Sequence, residues 1–232
     1  ENLNKYKFMI ITDWQNATPW AAPEYAPVRS LLQDALKEHP DCRFILSAGD
    51  NSDDGQNEAQ WDGLFYGLRG IAESIPIMMS TGNHDNRGYI NYAPVPIGKF
   101  YIQHADLFDK KFEYTYPDNG TEGYRAETYS FDYGDVHFAV FGINGQDKVG
   151  EWLYNDLQNS DKLWKLGVYH FPIYPAMPEG VTDDSYPNLR KGIEDGRLDV
   201  VISGHEHALA RSYPIKDDQI YDRPSQGTVH FI

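Results

Sequence analysis

Apolar and polar positions along this chain follow two regimes. Short apolar runs, rich in β-branched and aromatic residues and closed by Gly, Asp, Asn or Pro, recur as YKFMIITD, RFILSAGD, PIMMSTGNHD, WKLGVYHFP and LDVVISGHEH, and read as buried strands. Between the first two, PEYAPVRSLLQDALKEHP places Val28, Leu31, Leu32, Ala35 and Leu36 on one helical face. EAQWDGLFYGLRGIAES repeats the pattern with Trp61, Leu64, Phe65 and Leu68 inward, so helical crossovers predict that the first three strands are parallel. ETYSFDYGDVHFAVFGI changes the period to two around a turn at Gly134 and predicts a hairpin; GEWLYNDLQNS is helical again. Residues 86–128 fit neither regime. This long aromatic, Gly/Pro-rich stretch reads as an irregular insertion and a candidate binding loop, with Tyr89, Tyr92, Phe100 and Tyr101 as candidate pocket walls.

A chain of 232 residues with 41% hydrophobic and 14% aromatic content can bury a sizeable core, and no repeat, linker or low-complexity stretch divides it. Residues 1–232 therefore read as a single domain. The formal charge of −15 argues against a nucleic-acid backbone or an anionic membrane as resting partner, because both would repel it. A phosphorylated small molecule remains compatible if bound cations invert the local field. Cys42 stands alone, so no disulfide framework can form within the chain. No apolar run approaches a membrane span, and residues 1–20 lack the charged-then-apolar layout of a signal peptide. The last residues, GTVHFI, read as a cut inside or just after a strand of a longer protein.

Candidate chemistry sits where the strands end: Asp13 with Gln15, Asp50, Asn83, His170, then His205 with His207. Open α/β sheets gather functional groups there, because the loops converge on one edge. Taken singly, these residues have plain explanations, since Asp and Asn are common turn formers and a histidine before proline is usually hydrogen-bonded and half-buried. Turn chemistry alone does not require GD, GNHD, a single His and GHEH in that order at strand ends.

The blocks ITDWQ, SAGDN, STGNHD, VYHFP and SGHEH resemble the calcineurin-like metallophosphoesterases, and YSFDYGDVHFAVF, EWLYNDL and GHEHALARSYPI are similar to their purple-acid-phosphatase-like branch. The resemblance covers nearly the whole chain. It implies an α/β fold of the α+β type, a four-layer αββα sandwich of two mixed β-sheets flanked by helices, carrying two divalent or trivalent metal ions (Mn, Fe or Zn). One ion is implied on Asp13, Gln15, Asp50 and His207, the other on Asp50, Asn83, His170 and His205, with Asp50 bridging. A shared carboxylate suits cations roughly 3.5–4 Å apart, which need an anion to offset their repulsion. His205 and His207, alternating along an extended segment, would then face one side with Glu206 turned away. The implied reaction is hydrolysis of phosphate esters, monoesters first and diesters or nucleotides next, by a metal-bridging hydroxide. His84 would be the general acid, oriented by Asp85. The rival of another class is a surface-protein module that keeps the fold only for binding. Export to a secreted, periplasmic or cell-surface location is also implied, with other domains of the same chain as partners.

Two positions depart from the family pattern. Gln15 stands where most of the wider family has histidine, and its neutral oxygen donor should favour Mn or Fe relative to Zn. Asp53 stands where the purple branch has tyrosine, so an iron–tyrosinate bond and its colour are not expected. The other histidines read plainly: His39 at a helix end, His137 and His230 packed in strands, His104 solvated in the insertion.

Overall fold

The strand Lys7–Ile11 (β1) leads into the helix Ala26–Glu38 (α1), followed by Cys42–Ser47 (β2), Glu58–Gly67 (α2) and Ile77–Met79 (β3). In this computed structural model, which describes residues 5–15, 23–89, 99–101, 104–177 and 187–232, the three strands form one sheet in the order β1-β2-β3, parallel throughout as the crossover pattern predicts. Phe44, Ile45, Leu46 and Ser47 on β2 are all buried, as expected for a central parallel strand covered on both faces. The two helices differ in detail from the apolar stripes. Leu32 is buried but Leu31 is 62% exposed, and Trp61 and Leu64 are buried while Phe65 is 38% exposed. Neighbouring helical positions lie about 100° apart, so a run of apolar residues cannot all face one sheet.

Short elements follow: Asn83–Asn86 (α3), the antiparallel pair Arg87–Tyr89 (β4) and Lys99–Tyr101 (β5), and Asp106–Phe112 (α4). Here the reading of residues 86–128 as a loop needs correction. Ala105, Phe108, Phe112, Tyr116 and Ala126 are buried in the main core, where Trp61 meets Phe108 and Phe112 edge-on. The aromatic spacing that suggests a binding loop is in this part a short helix supplying core. Tyr92 and the side chains of Tyr89, Phe100 and Tyr101 lie outside the described residues.

The hairpin Thr128–Tyr133 (β6) and Val136–Phe141 (β7) turns through Gly134 and Asp135 as predicted. Then come Gln146–Asn159 (α5), Trp164–Val168 (β8), Pro187–Gly196 (α6), Val200–Ile202 (β9), a two-residue pair Ile215–Lys216 (β10) and Gln219–Ile220 (β11), and Val229–Phe231 (β12). The second sheet has the order β12-β9-β8-β7-β6, and it is mixed, because only β6–β7 is antiparallel. Alternation along its strands separates two cores. Phe138 and Val140 of β7 and Ile202 of β9 join the first sheet, whereas Ala139, Phe141 and Val201 join Leu153, Leu157, Leu189 and Ile193 of α5 and α6. Phe44 meets Phe131 and Phe138 edge-on across the two sheets, with centroids 5.6 and 5.3 Å apart. Truncating such core rings costs roughly 3–5 kcal/mol, so this aromatic seam fixes how the sheets face each other. The result is the four-layer arrangement, with the carboxyl ends of the parallel strands on a common rim.

Candidate metal centre

The turns after β1, β2, β3, β8 and β9 carry the predicted residues to that rim. They are stitched together through the backbone: Asp13 donates to Gly49 O at 3.2 Å and Gly204 to His170 O at 3.0 Å. Asp13, Asp50, His205 and His207 all have left-handed backbones, with φ of 50°, 53°, 73° and 48°. Non-glycine residues adopt this region at a cost, and such strain gathers at sites where side-chain aim matters. The last two values correct one expectation. His205 and His207 do not alternate along a strand but sit in tight turns, because the His205 N–H is held by the Asp13 carboxylate at 2.9 and 3.1 Å. Close approach explains the adjoining glycines: a Cβ on Gly82 would lie 2.2 Å from Asp50 Oδ1, and one on Gly204 1.9 Å from Thr12 Oγ1.

Asp50 is the centre of the arrangement, 1% exposed. Its Oδ1 lies 3.3 Å from His170 Nε2 and accepts the His84 backbone N–H at 2.8 Å; its Oδ2 accepts from Gln15 Nε2 at 3.4 Å. Around the first oxygen, Asn83 Oδ1 lies 3.1 Å from His170 Nε2 and 3.0 Å from His205 Nδ1. Asp13 joins the group with His207 Nε2 3.3 Å from its Oδ1. One ligand atom each from Asp13, Asp50 and His170 falls within 4.8 Å of the others. Glu206 is turned away, its carboxylate accepting the Ala176 N–H at 2.8 Å.

The donor set suits cations. Gln15 Oε1 is buried without a hydrogen-bond partner, a neutral oxygen free to ligate. His170 donates its Nδ1–H to Ala48 O at 2.8 Å, which fixes the ring with Nε2 facing Asp50 and Asn83, the atom that would ligate a cation in exchange for its proton. Burial resists ionisation of Asp50, yet the adjoining His170 and His84 imidazoles outweigh it and hold the carboxyl below its ordinary value. Burial likewise favours neutral His170, yet Asp50 wins and holds its proton on, whereas burial and the His170 charge together lower His205.

Residues 6–209 match the family described as calcineurin-like phosphoesterase. The chain belongs to that family. It is similar to purple acid phosphatase 22 of Arabidopsis thaliana, 26% identical over 216 residues, which cover 88% of this chain and 45% of that protein. The chain thus spans less than half the length of this relative. Among solved structures it is similar to a purple acid phosphatase isolated from yellow lupin seeds, with TM-score 0.68 at 17% identity over 98% of this chain and 44% of that one. It is also similar to GAP50, the anchor in the inner membrane complex of Plasmodium, with TM-score 0.58 at 16% identity over 97% of this chain and 70% of that one. Both likenesses speak to the fold.

Around His84 this family member differs from the sequence-based expectation. Asp53, not Asp85, meets the imidazole: His84 Nδ1–H donates to Asp53 Oδ1 at 2.9 Å, turning Nε2 toward Asp50 Oδ2, 3.7 Å away. The same Asp53 carboxylate pairs with Arg87, whose Nε also donates to Asp53 O at 2.8 Å. Asp85, fully buried, instead accepts backbone N–H groups of Asn51 and Ser52 at 3.0 Å and of Gly82 at 2.9 Å. It ties the Asp50 turn to the turn bearing Asn83 and His84. Burial, then the nearby Asp50 charge, raises the Asp85 carboxyl. Asn51 completes this tie, accepting from Trp14 Nε1 at 3.0 Å and Ser47 Oγ at 2.6 Å and donating to Ser80 O at 2.9 Å. Only its place directly after Asp50 could have signalled it.

A second group carries no sequence motif. His104, Asp109 and Glu127 bring one ligand-type atom each within 4.8 Å, and His104 is half-buried, stacked on Tyr124, rather than solvated. Burial first, and Asp109 second, push the Glu127 carboxyl up to about 7; burial pushes Asp109 up to about 6 against the pull of His104. A carboxyl whose folded value lies above its unfolded one binds its proton more tightly when native. Its ionisation cost is therefore absent below about pH 4.5, grows with pH, and is complete above about pH 7. Stability should fall across that window, by on the order of 3 kcal/mol from Glu127. Urea unfolding at both ends of the window should show Glu127→Gln flattening this slope; an unaltered slope would mean that Glu127 ionises equally easily in both states. His137, read as packed, is buried between Asp132 and Asp156 at 2.7 Å each, which raise it against burial.

Proposed function

We propose that this chain is a metal-dependent phosphoesterase that hydrolyses phosphate monoesters at a pair of divalent or trivalent ions. The observation that supports this reading most is the convergence of ligand-type side chains on Asp50, with His170 at one carboxylate oxygen, Gln15 at the other, and Asn83 joining His170 to His205. Asp13, Gln15, Asp50 and His207 would hold one ion, and Asp50, Asn83, His170 and His205 the other. When bound, such a pair lowers the pKa of an attacking water and offsets the negative charge of the phosphoryl group. The chain's own contribution is orientation and proton transfer. Asp53 holds the His84 ring with Nε2 toward the centre, where its proton can pass to the departing ester oxygen. Export from the cytoplasm belongs to the same reading. No helix among the described residues is long and apolar enough to cross a membrane.

The direct test is metal content of the purified protein together with turnover of an aryl phosphate. Two ions per chain and chelator-sensitive turnover are expected. Diester and nucleotide substrates in the same assay decide the ester class. The likeness to GAP50, described as an anchor, keeps a binding module as the second reading. Absence of turnover on every ester, with metals bound, would favour it.

Gln15 sets the metal preference in this reading. Gln15→His replaces an oxygen donor by imidazole and should tighten Zn²⁺ by roughly tenfold or more while lowering relative activation by Mn²⁺. Competition titrations that leave the preference unchanged would remove Gln15 from the ligand set.

A further inference from the structure

We propose that Glu127, acting through Thr81 and Asn144, is a positioning residue that holds the turn bearing Asn83 and His84; this rests on the phosphoesterase reading above. Glu127 immediately precedes β6 and is fully buried. Its Oε2 accepts the Thr81 hydroxyl at 3.0 Å and an Asn144 Nδ2–H at 2.5 Å, while its Oε1 accepts the Ala105 N–H at 3.3 Å. Asn144 in turn pairs reciprocally with Asn86: its Oδ1 accepts from Asn86 Nδ2 at 2.6 Å, and its Nδ2 donates to Asn86 Oδ1 at 3.2 Å. Thr81 and Asn86 are the residues just before and just after the segment Gly82–Asp85. One carboxylate thus grips the turn at both of its ends.

The grip comes from one side and Asp85 from the other. Asp85 binds the turn inward to the Asn51 and Ser52 backbone, and Glu127 and Asn144 fix its flanks against the second sheet. None of the gripping residues belongs to the donor set around Asp50, and all are buried: Thr81 and Glu127 at 0%, Asn86 at 2% and Asn144 at 8% exposure. A carboxylate is a costly choice for this place, because burial and Asp109 both oppose its charge. A shape-filling role would be served by a neutral side chain. What the carboxyl group adds is one oxygen that bonds two donors at once, the Thr81 hydroxyl and the Asn144 amide, and in its ionised form those bonds are stronger and more directional than a neutral acceptor's. Confinement matters here because a misplacement of about 1 Å can cost about 10²-fold in rate.

The test compares the parent with Glu127→Gln, and with Thr81→Val and Asn144→Ala, which release one end of the turn each. Rates are measured on an alkyl and an activated aryl phosphate and normalised to folded, metal-loaded protein. If the turn is loosened, His84 is misplaced, and the alkyl ester should lose about tenfold more than the aryl ester in all three variants, with metal content retained. Equal losses on the two substrates, or losses that vanish on normalisation, would show that Glu127 only supports folding and would overturn the proposal. Imidazole ¹⁵N signals of His84 in the metal-free protein supply a readout independent of turnover. They should move in each variant and in the two partial releases by different amounts; unmoved signals would overturn the proposal. Signals that move in the variants, with a parent that hydrolyses no ester, would support the grip and refute the phosphoesterase reading. Should Glu127→Gln fail to fold, the two partial releases carry the same decision.

Discussion

Asp50→Asn is expected to abolish turnover and the tight binding of the ion pair together. The two Asp50 oxygens meet side chains assigned to different ions, His170 at Oδ1 and Gln15 at Oδ2, so a single carboxylate would serve both proposed ions. An amide keeps the shape and can still accept the His84 N–H, but it offers one oxygen and no charge. The loss in metal affinity should therefore exceed the 10–100-fold typical of removing a group that merely orients a ligand. The metal-free protein should suffer much less. The Asp50 carboxylate is what keeps a proton on buried His170, and with the charge gone the imidazole can become neutral in place. Thermal unfolding with and without added Mn²⁺ separates the two effects. The parent should gain stability from the metal and Asp50→Asn should gain almost none, while their metal-free midpoints stay close. Two tightly held ions and near-parental turnover in Asp50→Asn would refute the bridging assignment.

Much of this centre was legible because its residues share one structural address. Asp13, Asp50, Asn83, His170 and His205 each follow an apolar run, and parallel strands bring those ends to one rim whatever the details of the sheet. The supports were not legible in the same way. Asp85 and Asp53 are both near His84 in the chain, and only the short helix Asn83–Asn86, which folds Asp85 back onto Asn51 and Ser52, decides that Asp53 meets the imidazole. Glu127 reaches Thr81 from 46 positions away, a pairing no local pattern encodes. The left-handed turns at His205 and His207 likewise arise from a contact with Asp13 across 192 positions. The fold was read best where period and burial agree, as in β7, and worst between 104 and 128, where aromatic residues mark core without a regular period. Periodicity reports which side faces the core; it cannot report which polar groups meet once the chain has closed.

That distinction shapes the expectation for His84. In the proposed reaction its Nε2 proton goes to the departing oxygen, so its worth depends on how badly that oxygen needs one. An activated aryl phosphate releases a stable phenolate, whereas an alkyl phosphate releases a strongly basic alkoxide. General acid assistance is typically about 10²–10⁴-fold, so His84→Asn should cost alkyl esters toward the upper end of that range and activated aryl esters far less. Asp53→Asn should follow the same ranking with smaller losses. An amide at Asp53 can still accept from Nδ1, but with a weaker hydrogen bond than a carboxylate, and it loses the ion pair with Arg87 that holds the side chain in place, so the ring is oriented less firmly. A residue that only bound the phosphoryl group would be missed equally by both substrates, since that group is common to them. The decisive quantity is the ratio of kcat/KM losses for one substrate of each kind in parent, His84→Asn and Asp53→Asn. A ratio near one in both variants would assign the His84–Asp53 pair to phosphate binding instead of proton transfer.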